Sequence, residues 1–229
     1  MAKKNKQEEE VLVDVGSSLT GLERYLEENR KSITTIGIAI FAVVAGYFAY
    51  TKLYQEPLEQ EAQEEIFYAE SLFQKDSLEQ AINGYDGHMG FLDVAADYSG
   101  TKAGNMANYY AGISYLRLGE FENAIKLLDE FSTSDPLLSA EATGAIGDAF
   151  MELNQPEDAL EYYVKASKVS NNSYVVPFYL FKAGLVAEMQ GDFEAAVGHF
   201  ETIKEEYPDS KQAADVEKYI ARAEAQQPE

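Results

Sequence analysis

Two histidines, His88 and His199, are the only imidazoles in this 229-residue chain, and it has no cysteine. A metal site or a nucleophilic triad needs His, Cys or carboxylates at ligand or hydrogen-bond spacing, and neither histidine has a His or Cys partner placed to share a metal. His88 stands in an irregular glycine-rich segment and His199 between Gly198 and Phe200. Gly100-Thr101-Lys102 lacks the upstream glycines of a phosphate-cradling loop. Asn171-x-Ser173 is a formal glycosylation sequon. Without cysteine there is no disulfide, no thiol nucleophile and no lipidated cysteine. The expectation is a chain with no catalytic residues, no metal and no cofactor, whose chemistry is recognition.

Charge narrows the partners. Residues 1–52 carry seven Lys/Arg and seven Asp/Glu, whereas residues 53–229 carry 11 against 33, so the whole net charge of −22 lies in the second segment. That field repels nucleic acid and anionic lipid surfaces. It keeps an exported domain soluble, and it also attracts basic partners.

Ser32 to Thr51 is a run of 20 residues without a charge. As a helix it rises about 30 Å, the hydrocarbon thickness of a bilayer. Ile33, Ile36, Ile40, Phe41 and Val44 are spread round the helix, and Tyr47 and Tyr50 crowd one end as an interfacial belt would. Residues 32–52 are therefore expected to form a transmembrane anchor. A cleaved export signal is the alternative, against which stand the 31 preceding residues. Lys3, Lys4, Lys6, Arg24, Arg30 and Lys31 precede the run, so the N-terminus is expected in the cytoplasm and residues 53–229 outside. Within the tail, 1–31, Leu19, Leu22, Tyr25 and Leu26 have the spacing of a short amphipathic helix.

Beyond the anchor the chain repeats itself. Gly112, Tyr115, Gly119, Ala124, Leu128 and Pro136 form one set. Gly147, Phe150, Ala159, Tyr163 and Ala166 form a second, and Gly184, Ala187, Gly191, Phe193, Ala196, Phe200 and Pro208 a third. Ala124, Ala159 and Ala196 are 35 and 37 residues apart. This is the helix-turn-helix spacing of a tetratricopeptide repeat, in which small residues let paired helices approach and large ones fill the gaps. A weaker first unit offers Ala69, Leu72, Ala81 and Tyr85, followed by an insertion with an extra helical segment from about Gly90 to Tyr98. The expected fold is all-α: an N-terminal transmembrane helix, then a tetratricopeptide α-solenoid of four units, 57–99, 104–136, 139–171 and 176–208, closed by a capping helix at 210–226.

Solenoids of this kind bind things and seldom catalyse. Projecting the first helix of each pair puts Tyr109, Ile113, Leu116, Phe178, Phe181, Leu185 and Met189 on an inner wall, with Asp148, Glu152 and Glu188 among them. Such a groove suits an unfolded or basic polypeptide segment. The alternative is that several of these side chains are buried by the neighbouring repeat or the cap.

The order of parts, "LERYLEENRKS" leading into the span, then "TKAGNMANYYAGISYLRLGEFENAIKLL" and a terminal helix, resembles the YfgM-like family of ancillary subunits of the bacterial SecYEG translocon. The resemblance implies a single-pass inner-membrane protein with a periplasmic repeat domain. It would partner the translocon and a membrane-anchored, PpiD-like periplasmic chaperone and assist protein export. The other reading is a scaffold or adaptor of another envelope assembly or secretion complex.

Overall fold

The computed structural model describes residues 25–169 and 171–227. Most of the expected amphipathic helix in the tail, including Leu19 and Leu22, lies outside the described residues. Residues 25–28 are helical, and Tyr25 and Leu26 are exposed. Two units divide the chain, one ending at Pro57 and the other running from Leu58 to Glu229.

The first unit is built on α1 (Arg30–Tyr50), followed by a π-helical turn, Thr51–Gln55. Thr34 and Thr35 donate their hydroxyls to the carbonyls of Arg30 and Lys31, at 2.7 and 2.8 Å, so the polar groups at the start of the helix are satisfied within it. A helix in lipid would need that, because lipid offers no other partner. No residue of α1 is buried, and Phe41 and Val43 are each 73% exposed. The apolar faces of a soluble core helix would be covered by protein. α1 is long and apolar enough to cross a membrane, a property it shares with export signals.

The second unit is a helical array: the body of α2 (Glu56–Gln74), α3 (Leu78–Asn83), α4 (Phe91–Asp97), α5 (Lys102–Leu118), α6 (Phe121–Glu130), α7 (Pro136–Glu152), α8 (Pro156–Lys168), α9 (Val175–Met189), α10 (Phe193–Glu206) and α11 (Ala213–Glu224). One device makes four of its turns. At the ends of α2, α5, α7 and α9 a residue takes left-handed φ: Asp76 at 62°, Gly119 at 82°, Asn154 at 57° and Gly191 at 81°. The next amide then reaches back five residues: Ser77 to Leu72 at 3.0 Å, and Glu120 to Tyr115, Gln155 to Phe150 and Asp192 to Ala187, each at 2.9 Å. This closure satisfies the orphan carbonyls of the helix end and reverses the chain.

Packing repeats with the same register. Gly112 lies against Leu128, Gly147 against Tyr163 and Gly184 against Phe200. A Cβ added to these glycines would sit 2.6, 2.8 and 2.5 Å from the facing side chain. Ala124, Ala159 and Ala196 are wholly buried on the second helix of each pair. Only small residues there allow the helix backbones to approach closely enough to bury the facing side chain.

The first pair departs from this pattern. α3 stops at Gly84, and Tyr85, which the spacing puts at the large-residue position, is 52% exposed in a tight turn whose amides pair it with His88. Phe91, at the head of α4, fills the core instead: it is fully buried and stacks on Tyr110 with ring centroids 5.3 Å apart. The turn itself is the reason. A Cβ on Gly90 would collide with the Gly84 nitrogen, so two bare backbones meet where the chain doubles back. α2 is fastened to the array by Glu59, whose carboxylate accepts the Lys102 and Ala103 amides at 2.6 and 3.2 Å and so caps the start of α5 from outside. At the other end Val216, Ile220 and Ala223 of α11 are buried in one cluster with Phe200 and Ile203 of α10.

Candidate partner-binding cleft

A cleft of about 670 Å³ opens where α5, α7 and α9 run side by side. α5 and its turn supply Leu116, Arg117, Leu118 and Gly119, with Phe121 just beyond. α7 supplies Asp148, Met151 and Glu152, and Tyr163 of α8 and Lys182 of α9 complete the lining.

All but one of its charges are paired. The Lys182 ammonium is 2.5 Å from Asp148 Oδ1 and lies 5.1 and 5.0 Å from the ring centroids of Tyr163 and Phe178. The Tyr163 hydroxyl donates to the same carboxylate oxygen at 2.5 Å. Burial, reinforced by that carboxylate, pushes the Tyr163 phenol far above its ordinary pKa, so it stays a donor. On the opposite wall Arg117 is turned outward, bonded to Asp76 at 2.6 Å with its guanidinium 5.4 Å from the Phe73 ring centroid. Glu152 has no cation within ion-pair distance among the described residues.

The ten side chains assigned to the inner wall from the sequence separate into several places. Leu116, Asp148 and Glu152 line the cleft, and Phe178 borders it through Lys182. Tyr109 and Ile113 do not reach the cleft and pack, together with the inner side of Leu116, against the interior formed by Leu128, Phe131 and Ile146. The Tyr109 hydroxyl donates to Glu141 at 3.4 Å, and burial and that carboxylate raise its pKa. Phe181 and Leu185 join the cluster under α11, with the Phe181 ring 4.8 Å from that of Tyr219. Arg222 of α11 grips Glu188 with both arms of its guanidinium, its Nε at 2.6 Å. The cap therefore covers Phe181, Leu185 and Glu188, while Met189 is 60% exposed at the end of α9.

Arg117, Met151, Tyr163 and Lys182 line the cleft without having been assigned to the wall. Lys182 stands in the register of Tyr110 and Ala145, two residues before the packing glycine of its repeat. A lysine at an inward-facing position was the available signal.

Of the residues assigned to the anchor, Ile33, Ile36, Ile40, Phe41, Val44, Tyr47 and Tyr50 all lie exposed on α1. His88 stacks on Tyr68 with centroids 4.0 Å apart. His199, half-buried on α10, has its pKa lowered by burial and by Lys168. Among the described residues no three His, Cys, Asp or Glu gather as a metal site.

A tetratricopeptide repeat family model matches residues 109–173 and again 145–211, so this stretch consists of tetratricopeptide repeats. A TPR repeat-containing protein of Methanocaldococcus jannaschii, MJ1428, is 30% identical over 100 residues. That is 44% of this chain, which spans only 17% of the length of that relative. The crystal structure of MamA protein aligns over 72% of this chain and 91% of its own, with a TM-score of 0.51 and 20% identity, a likeness of fold alone. Fold and repeats together define a tetratricopeptide solenoid, an architecture that serves as a scaffold for protein–protein contacts.

Proposed function

We propose that the chain is a non-enzymatic, membrane-anchored helper of protein export. α1 holds it in the bacterial inner membrane with the N-terminus in the cytoplasm, and the repeats face the periplasm. There they bind the SecYEG translocon and a PpiD-like chaperone, or emerging polypeptide itself. The observation that carries the binding role is the open cleft between α5, α7 and α9, which combines apolar lining with a carboxylate, Glu152, that has no ion-pair partner among the described residues. The charge balance supports the choice of partner: a segment with 33 acidic and 11 basic residues favours basic, unfolded stretches over nucleic acid.

Affinity purification of the full chain from crosslinked membranes, with the anchor intact, tests the assignment. Recovery of SecYEG subunits is the expected result. Their absence, with subunits of a different envelope assembly in their place, would replace export by the scaffold reading.

A further inference from the structure

We infer that the cleft recognises a basic side chain, the lysine or arginine of a short partner segment, through Asp148 and Glu152 on α7, and that Lys182 is an internal occupant of that site. The inference rests on the reading of the cleft as the partner-binding surface and assigns the chemical class of what it takes.

Asp148 and Glu152 are one helical turn apart and line the same cleft, so their like charges share one face. Lys182 relieves only one of them. Its ammonium is held as a ligand cation would be, against a carboxylate and within cation–π distance of two aromatic rings. The Lys182 and Tyr163 bonds to Asp148 both end on Oδ1, and among the described residues Oδ2 takes none. Arg117, the other cation in the cleft, is committed to Asp76 and Phe73. The site therefore has one carboxylate and one further oxygen to offer, beside Leu116 and Met151, which suit the aliphatic stem of a lysine. Lys182 is a long side chain that is 26% accessible, and on this inference an incoming ammonium displaces it from Asp148.

The test uses the full chain in nanodiscs and fluorescence anisotropy with a labelled peptide alternating lysine and leucine. Matched peptides carry glutamine or glutamate in place of lysine. The lysine peptide is expected to bind best. Glu152→Gln is expected to weaken it roughly three- to fivefold, the scale of one partly exposed ion pair. Lys182→Met, which removes the competitor and leaves Asp148 unneutralised, is expected to tighten it by a similar factor. Glu152 is exposed and has no ion pair within the described fold, so its variant reads out binding even if Lys182→Met does not fold. Equal binding of the lysine and glutamine peptides, with no effect of Glu152→Gln, would overturn basic recognition while leaving the cleft as the binding surface if Leu118→Asp, at an exposed position of the lining, abolishes both. Binding indifferent to Leu118→Asp as well would overturn the cleft reading itself.

Discussion

Two glycine-to-alanine changes in neighbouring helices should move stability in opposite directions. Gly184 on α9 faces the Phe200 ring, and an added Cβ would lie 2.5 Å from Cε1 and 2.7 Å from Cζ. Phe200 is fully buried and wedged between the rings of Phe181 and Tyr219, at 5.8 and 5.6 Å, so it has nowhere to retreat. Overpacking of this kind costs about 1–3 kcal/mol, and more where the neighbour is a rigid ring. Alanine regains up to about 1 kcal/mol of helix propensity over glycine, so the net loss for Gly184→Ala is about 1–2 kcal/mol. Gly198, in the middle of α10, has open space where an alanine methyl would stand, with nothing within 4 Å, and Gly198→Ala keeps the propensity gain, about +0.5–1 kcal/mol. Urea denaturation of residues 58–229, followed by circular dichroism at 222 nm, measures both. Gly184→Ala equal to or more stable than the wild type would refute the packing argument.

Other changes in the repeats separate core positions from surface ones. Phe91→Ala should cost about 3–5 kcal/mol in the same urea titration while Tyr85→Ala leaves stability within about 0.5 kcal/mol, because Phe91 fills the core and Tyr85 does not. Asn105 exchanges two bonds with Ser132, its amide donating to the carbonyl at 2.8 Å and its oxygen accepting the Ser132 amide at 3.0 Å. Asn105→Ala should therefore lower stability by about 1–2 kcal/mol, read as a shift in urea midpoint without a change in slope. Burial lowers the pKa of His199, so the unfolded chain binds its proton more readily, and this contribution to stability is full above the ordinary histidine pKa and lost as pH falls from there through the lowered one. Glu70, whose pKa burial raises, acts in the opposite sense at lower pH. The difference between wild type and His199→Gln isolates the histidine, and an identical pH dependence of the two midpoints would remove it from the account.

The repeating fold was legible in the sequence because its information there is local. Gly112, Gly147 and Gly184, with Ala124, Ala159 and Ala196, are spaced by the geometry of paired helices, and small residues at contact points leave little freedom of register. The first unit was less legible. Tyr85 has the right spacing, but spacing does not show that Gly84 and Gly90 will meet and turn the chain, which hands the core position to Phe91. The cleft was legible only in part, since a projection onto one helix says which face a residue occupies but not what lies above it. Phe181, Leu185 and Glu188 share a face with Met189, yet Tyr219 and Arg222 of α11, the latter 34 residues beyond Glu188, cover the first three. The cage round Lys182 joins α7, α8 and α9, and no single-helix pattern contains it.

Binding of protein partners in this cleft, on a membrane-held array, is the central claim. Photocrosslinking from within living membranes tests it most directly, with a photoreactive residue at Leu118 in the cleft or at Asn123 on the exposed face of α6, in the full chain with its anchor intact. Discrete partner adducts are expected from Leu118, weakening when Glu152→Lys is added, and none of them from Asn123. Adducts of equal strength from both positions, unaffected by Glu152→Lys, would contradict it.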